Sequence, residues 1–293
     1  MAASGKVLPV TIPPSDPLPP PPAPATLGFD AFSPREVAER IEVLGVAKAR
    51  LPLASMLLLA VLAGAYIGFG SLFFLLVTAD PSWSFASTRV LGGLVFSLGL
   101  LAVVVAGAEL FTGNHLLAMA WADGRLSAAE VLRNWAVVCL GNALGAALLA
   151  WAVAGADLGS LNGGRLAQQA MKVAQAKADL PADVAFLRGV LCNVLVCLAV
   201  WMAAAGRSVV DKAVAVVPPV TAFVALGFEH SVANFFFFPL ALLLEPTAAA
   251  AGLTAPGAGA ILGNLLPVIA GNLVGGSVLV AGVYWVVYRR GVG

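Results

Sequence analysis

The chain has 293 residues, 60% of them hydrophobic and only 11% charged, with a mean hydropathy of +0.96 and a net charge of +1. Soluble domains carry about 25% charged residues, so the composition excludes one and leaves an integral membrane protein. With a balanced charge and no basic stripe with interleaved aromatics, nucleic acid is excluded as a partner.

The first 32 residues read as a proline-rich cytoplasmic tail. Pro13, Pro14, Pro17 and the run 19–22 favour a solvated polyproline coil, expected to be disordered, and the absence of an early apolar core argues against a secretory signal. An adaptor-binding role is the alternative. Ser33-Pro34-Arg35-Glu36 then starts a helix, with Ser33 as N-cap, proline at the first helical position and Glu36 closing a capping box. Val37, Ile41 and Leu44 follow at helical spacing, so residues 33–50 are expected as an amphipathic helix lying on the membrane surface.

Residues 51–290 read as a six-helix transmembrane domain. A bilayer core of about 30 Å needs about 20 helical residues. The spans fall near 53–77, 90–121, 132–154, 189–205, 213–244 and 261–288. The second and fifth are too long for one simple span, so each is expected as two half-helices joined by a loop. Cys139, Cys192 and Cys197 all lie in apolar segments and read as buried free thiols. Nothing in the chain calls for a cofactor or a metal. If the N-terminus is inside, only Arg89, Arg165, Lys172, Lys177 and Arg188 of the 16 Lys and Arg residues are outside. That fits the positive-inside rule and puts both termini in the cytoplasm. The third span holds Gly141-Asn142-Ala143-Leu144-Gly145 and the sixth Gly271-Asn272-Leu273-Val274-Gly275, both G-N-x-x-G. Three spans per half make the expected fold an all-α inverted 3+3 repeat with spans 2 and 5 broken.

Two polar strings mark the broken spans: Ala108-Glu109-Leu110-Phe111-Thr112-Gly113-Asn114 and Gly227-Phe228-Glu229-His230-Ser231-Val232-Ala233-Asn234. Ionisable groups at membrane depth are costly and point to a substrate path. Half-helices starting near the midplane offer unpaired N–H groups and positive dipole ends, which favour anions. Thr112, Asn114, Ser231 and Asn234 stand at such starts, where plain capping is the alternative. His230 lies in the second break, and imidazole titrates near neutrality. Glu109 and Glu229 would repel an anion, so they are expected to hold the loops by accepting backbone hydrogen bonds or by pairing across subunits. Phe96, Leu100, Leu110, Phe111, Val196 and Phe223 flank the strings and could form hydrophobic constrictions, plain packing being the alternative.

These strings, together with Gly92-Gly93, Asn134-Trp135, Gly141-Asn142, Leu191-Cys192-Asn193 through Trp201-Met202, and Gly271-Asn272, resemble the formate/nitrite transporter family over residues 33–290. Gly206-Arg207-Ser208 followed by Asp211-Lys212 looks closest to the formate-channel branch, whereas Gly113-Asn114-His115 is bulkier and more polar than that branch's serine-threonine sequence. The resemblance implies an aquaporin-like protomer in a homopentamer, one pore per protomer, in the inner membrane. It implies that His230 is the central pore histidine and Thr112 the threonine of the first loop. Asn193 and Asn272 match pore-facing asparagines, and Lys177 the lysine that attracts anions at the outer vestibule. Constrictions are implied at Leu100 with Phe223 and at Phe96 with Val196.

The expected function is a channel or proton-coupled carrier for a small monovalent anion, formate first and nitrite second, with hydrosulfide, lactate and acetate also open. An unpaired buried charge costs many kcal/mol, while protonating a carboxylate of pKa about 4 at pH 7 costs roughly 4 kcal/mol. Passage as the neutral acid near His230 is therefore favoured. A neutral-solute channel of the aquaporin type would need two Asn-Pro-Ala boxes, and the chain has none. An intramembrane hydrolase built on Gly275-Gly276-Ser277 lacks a reason for His115 or His230 to meet the serine. The protein is thus expected not to be an enzyme.

Overall fold

A computed structural model describes residues 31–290. The tail expected over 1–32 lies outside the described residues except at its end. There, Phe32 already belongs to the fold: its N–H donates to the Ala205 carbonyl at 2.9 Å, and Arg40 and Arg207 stack over its ring.

The described chain is helical throughout. In order it runs α1 (Pro34–Ala49), α2 (Leu53–Thr78), α3 (Phe85–Ala106), a 3-10 turn Gly113–Leu116, α4 (Leu117–Ala122), α5 (Ala128–Gly155), α6 (Arg165–Ala178), α7 (Ala182–Ala205), α8 (Val209–Ala225), α9 (Ser231–Ala248), α10 (Ala258–Leu273), a π-helical stretch Val274–Gly282, and α11 (Val283–Tyr288). Six stretches are long and apolar enough to cross a membrane: α2, α3, α5, α7, α9 and the run Ala258–Tyr288. The chain is therefore a multi-pass membrane protein.

The helix starts lie earlier than hydropathy alone places them. α3 begins at Phe85, where Ser84 accepts from the Ser87 N–H, and α7 begins at Ala182 behind Pro181. Their first turns carry Arg89, Asp183 and Arg188, which are helical without being apolar. α5 likewise starts at Ala128, capped by a Ser127–Glu130 box.

One expectation is corrected in part. Val37 and Ile41 of the apolar face of α1 are not laid in lipid but buried, with Ala38, among Leu116, Met119, Trp201 and Ala281 of the bundle, whereas Leu44 is exposed. Between α5 and α7, α6 buries Leu166, Ala167, Ala170, Met171 and Ala174 on one face. α6 is too short and polar to register as a span.

The small residues of G-N-x-x-G allow two helix pairs to touch backbone to backbone. A Cβ at Gly145 would strike the Val61 carbonyl of α2. A Cβ at Gly275 would likewise strike the Val190 carbonyl of α7. These pairs, α2 with α5 and α7 with the last span, frame the core in which the polar strings sit.

Candidate functional site

Each polar string is a loop that stops one helix and starts another. α3 ends at Gly107 (φ +80) and α8 is followed by Gly227 (φ +73), left-handed positions that glycine occupies without strain. The next residue closes the same bond in both: Ala108 N–H to Val103 O and Phe228 N–H to Phe223 O, each 3.0 Å.

Most of the bonds around the two loops then match, although Lys48 Nζ also donates to Asn114 Oδ1 at 3.0 Å while Asn234 Oδ1 has no partner among the described residues. Lys48 Nζ donates to Glu109 Oε1 at 2.8 Å, and Lys177 Nζ to Glu229 Oε1 at 3.0 Å. Asn114 Nδ2 donates to Glu109 Oε2 and to Asn134 Oδ1, as Asn234 Nδ2 does to Glu229 Oε2 and Asn264 Oδ1. Asn134 and Asn264 donate in turn to the carbonyls of Lys48 and Lys177. Asn142 bonds the Ala60 and Glu109 carbonyls and accepts from Phe111 N–H, while Asn272 bonds those of Gly189 and Glu229 and accepts from Ser231 N–H. Both carboxylates are thus held by a lysine and an asparagine of their own chain. Their lysines keep 33% and 14% of side-chain exposure, the carboxylates 5% and 4%. Buried charges of this kind persist when paired and hydrogen-bonded at every oxygen.

The loops meet at Thr112 and His230, where Thr112 Oγ1 lies 2.9 Å from His230 Nε2. His230 Nδ1 accepts the Ala233 N–H at 3.2 Å as α9's N-cap. In the neutral ring that bond leaves Nδ1 bare and puts the proton on Nε2, which donates to the threonine oxygen. The threonine hydrogen is then free for a third group. Asn193, buried on α7, reaches the Thr112 carbonyl, the Asn272 carbonyl and His115 Nδ1 with its amide nitrogen, and its Oδ1 has no protein partner among the described residues.

Two cavities lie near this pair; His230 lines the first, and Thr112 lines neither. One, about 170 Å³, is lined by Phe96, Phe223, Lys177, Glu229 and His230, with Arg89 and Arg188 at its wall. The other, about 400 Å³, is lined by Leu100, Leu110, Lys48, Glu109 and Asn114 and is partly floored by α1. Between them stand apolar side chains. Phe96 and Phe223 pack edge to face at 5.8 Å, Phe223 stacks on His230 at 5.8 Å, and Val196 is buried behind them.

Two calls move. Asn272 is not free to face a pore, because every polar atom of its amide is spent on backbone. Phe111 turns its ring onto His115 at 4.5 Å instead of into either cavity. Ser231 and Asn234 are fully buried, with Ser231 Oγ and Asn234 Oδ1 unpartnered among the described residues. The Ser277 hydroxyl bonds Leu273 O one turn back, while the two histidine rings hold Thr112 and Asn193. Among the described residues, no hydrogen bond joins a serine side chain to either histidine ring.

The sequence profile of formate/nitrite transporters matches residues 35–286. The chain belongs to the formate/nitrite transporter family. Among relatives, the formate channel FocA of Escherichia coli (strain K12) is 37% identical over 277 residues, covering 89% of this chain and 96% of that one. A probable formate transporter of Methanothermobacter thermautotrophicus is 37% identical over 282 residues, covering 90% and 100%. A solved pentameric formate channel with formate bound superposes with TM-score 0.76 at 38% identity, covering 81% of this chain and 98% of that one.

For this formate/nitrite transporter family member, reading the sequence missed Lys48, Asn134 and Asn264. A signal was present: Lys48 precedes Pro52 as Lys177 precedes Pro181, and Asn134 precedes Asn142 as Asn264 precedes Asn272, at equal spacings.

Proposed function

We propose that the protein is a formate channel of the inner membrane, working as a homopentamer with one pore per protomer. The relatives' names and the formate-bound pentamer support substrate and assembly. The doubled bond set supports an inverted repeat in which α1–α5 correspond to α6–α11, with the spans holding residues 107–112 and 226–230 broken there. The α1 side is then cytoplasmic and the α6 side external, by the positive-inside rule.

The observation that carries the mechanism is the Thr112–His230 bond, with His230 in the wall of the cavity that holds the Lys177–Glu229 pair and the Lys48–Glu109 pair lining a second cavity. An anion gathers beside Lys177, whose charge is only partly spent on Glu229. The apolar neck at Phe96, Phe223, Leu100 and Val196 is too costly for a bare charge. At the neck the free threonine hydrogen donates to a carboxylate oxygen and orients it, with His230 Nε2–H holding the threonine oxygen, while the proton the carboxylate takes up comes from water of the α6-side cavity. The substrate passes as the neutral acid and loses its proton in the second cavity near Lys48. Glu109, Glu229, Asn114, Asn234 and Asn272 hold the loops. This is transport without covalent chemistry, which fits a family of transporters.

Purified protein in proteoliposomes, assayed with formate, nitrite, hydrosulfide, lactate, acetate and glycerol, tests the reading. Formate flux should lead the series. Glycerol or water flux without anion flux would contradict it.

A further inference from the structure

Two arginines in the wall of the α6-side cavity take no part in the mechanism above. Arg89, early in α3, and Arg188, early in α7, line it beside Lys177, and both are half-buried. Both reach the same turn of chain. Arg89 Nε donates to the Ala225 carbonyl at 2.7 Å, and Arg188 Nη1 lies 3.5 Å from the Gly227 carbonyl, a long contact. A side chain at Gly227 would strike Arg89 Nη2.

Neither guanidinium has a carboxylate within ion-pair distance among the described residues. The one acid in the cavity wall, Glu229, is already held by Lys177 and Asn234. Three cations therefore share one carboxylate in a recess with phenylalanine walls. Like charges brought together out of water repel unless an anion is shared between them. Arg89 spends only its Nε proton and Arg188 one Nη1 hydrogen in a long contact, so the other Nη hydrogens of both forks stay available. A planar fork pairs with a carboxylate through two parallel bonds, which a spherical ion cannot reproduce. The volume of about 170 Å³ equals roughly five or six waters, room for a small hydrated oxyanion.

We infer that Arg89 and Arg188 form an anion subsite at this mouth, selective for small planar monocarboxylates, from which the anion moves on to Lys177 and His230. The inference rests on the reading of this cavity as an anion entrance and deepens it.

Binding and flux separate the two. Line broadening of 13C-formate by the protein in nanodiscs reads binding, and concentration-dependent formate uptake from the α6 side reads KM and maximal rate. Arg188→Gln should weaken binding and raise KM by about tenfold, with a far smaller change in maximal rate. Arg188→Lys, which keeps the charge but loses the fork, should recover only part of this. Arg89→Lys is the second probe, chosen because full loss of Arg89 would also free the end of α8. Formate should outcompete chloride at equal concentration. Unchanged binding and KM in both Arg188→Gln and Arg89→Lys would overturn the subsite. So would wild-type behaviour of Arg188→Lys, or equal competition by chloride. Formate binding lost on Arg188→Gln in a protein that carries no formate would leave the subsite standing and sink the transport reading.

Discussion

Lys177 and Glu229 show why a charge at membrane depth need not block an anion path. The carboxylate is 4% exposed and bonded at both oxygens, by Lys177 and by Asn234. Removing one member of such a pair leaves a buried charge unpaired, a loss of about 3–5 kcal/mol in comparable sites. Lys177→Met should therefore lower the unfolding temperature in detergent and abolish formate uptake. The double change Lys177→Met with Glu229→Gln should regain most of the stability and none of the uptake. Equal uptake in the double variant would show that the lysine serves only the fold. Thr112→Val removes the hydroxyl at nearly constant volume. It leaves the His230 Nε2 proton without its acceptor, a cost of about 1–3 kcal/mol, so formate uptake should slow by roughly tenfold or more at unchanged expression. Wild-type uptake would remove the hydroxyl from the path.

Helix contacts set where these side chains stand. Gly145 and Gly275 place carbonyls of α2 and α7 in van der Waals reach of their partners, so neither site has room for a branched side chain. Gly275→Val should cost more than the usual 1–3 kcal/mol of overpacking, because backbone instead of a movable side chain lies in the way. Fluorescence size-exclusion profiles of detergent extracts should then show aggregate in place of the assembled peak. The other element with a specific anchor is α1. Glu42, wholly buried, accepts from Arg125 at 3.2 Å and Arg289 at 3.0 Å, tying α1 to the α4–α5 turn and the end of α11. Burial pushes the Glu42 carboxyl above its usual range, with the Arg289 guanidinium opposing the shift only in part. A raised folded value makes this group's stabilising share complete below the ordinary carboxylate range and removes it as pH rises through the folded value. Hydrogen-exchange protection of α1 should therefore fall as pH rises through that window, and Glu42→Gln should flatten the trend. An identical slope in the variant would place the pH response elsewhere.

At the scale of the molecule, the sequence carries the membrane class, the two polar strings and the G-N-x-x-G pairs, because each shows as a polar or glycine interruption in an apolar run. The strings led directly to Thr112 and His230. What stayed hidden was anything whose meaning depends on a partner far along the chain. Lys48 reads as one more basic residue of an amphipathic helix until Glu109 and Asn114 stand beside it. Asn272 reads as a pore residue until its bonds to Gly189, Glu229 and Ser231 are counted. α6 is missed because a short helix with one buried face carries no span-like hydropathy. In the mechanism proposed above, the bond sets around Glu109 and Glu229 stand on either side of the Thr112–His230 bond. The central consequence is electroneutral passage, formate and a proton together. Proteoliposomes holding a pH-sensitive dye, given a formate gradient at a series of imposed potentials, test it most directly. The wild-type protein should acidify the lumen in step with formate entry at a rate that ignores the potential, and His230→Asn should lose that coupling. Formate entry that scales with the potential and leaves the luminal pH unchanged in the wild-type protein would contradict it.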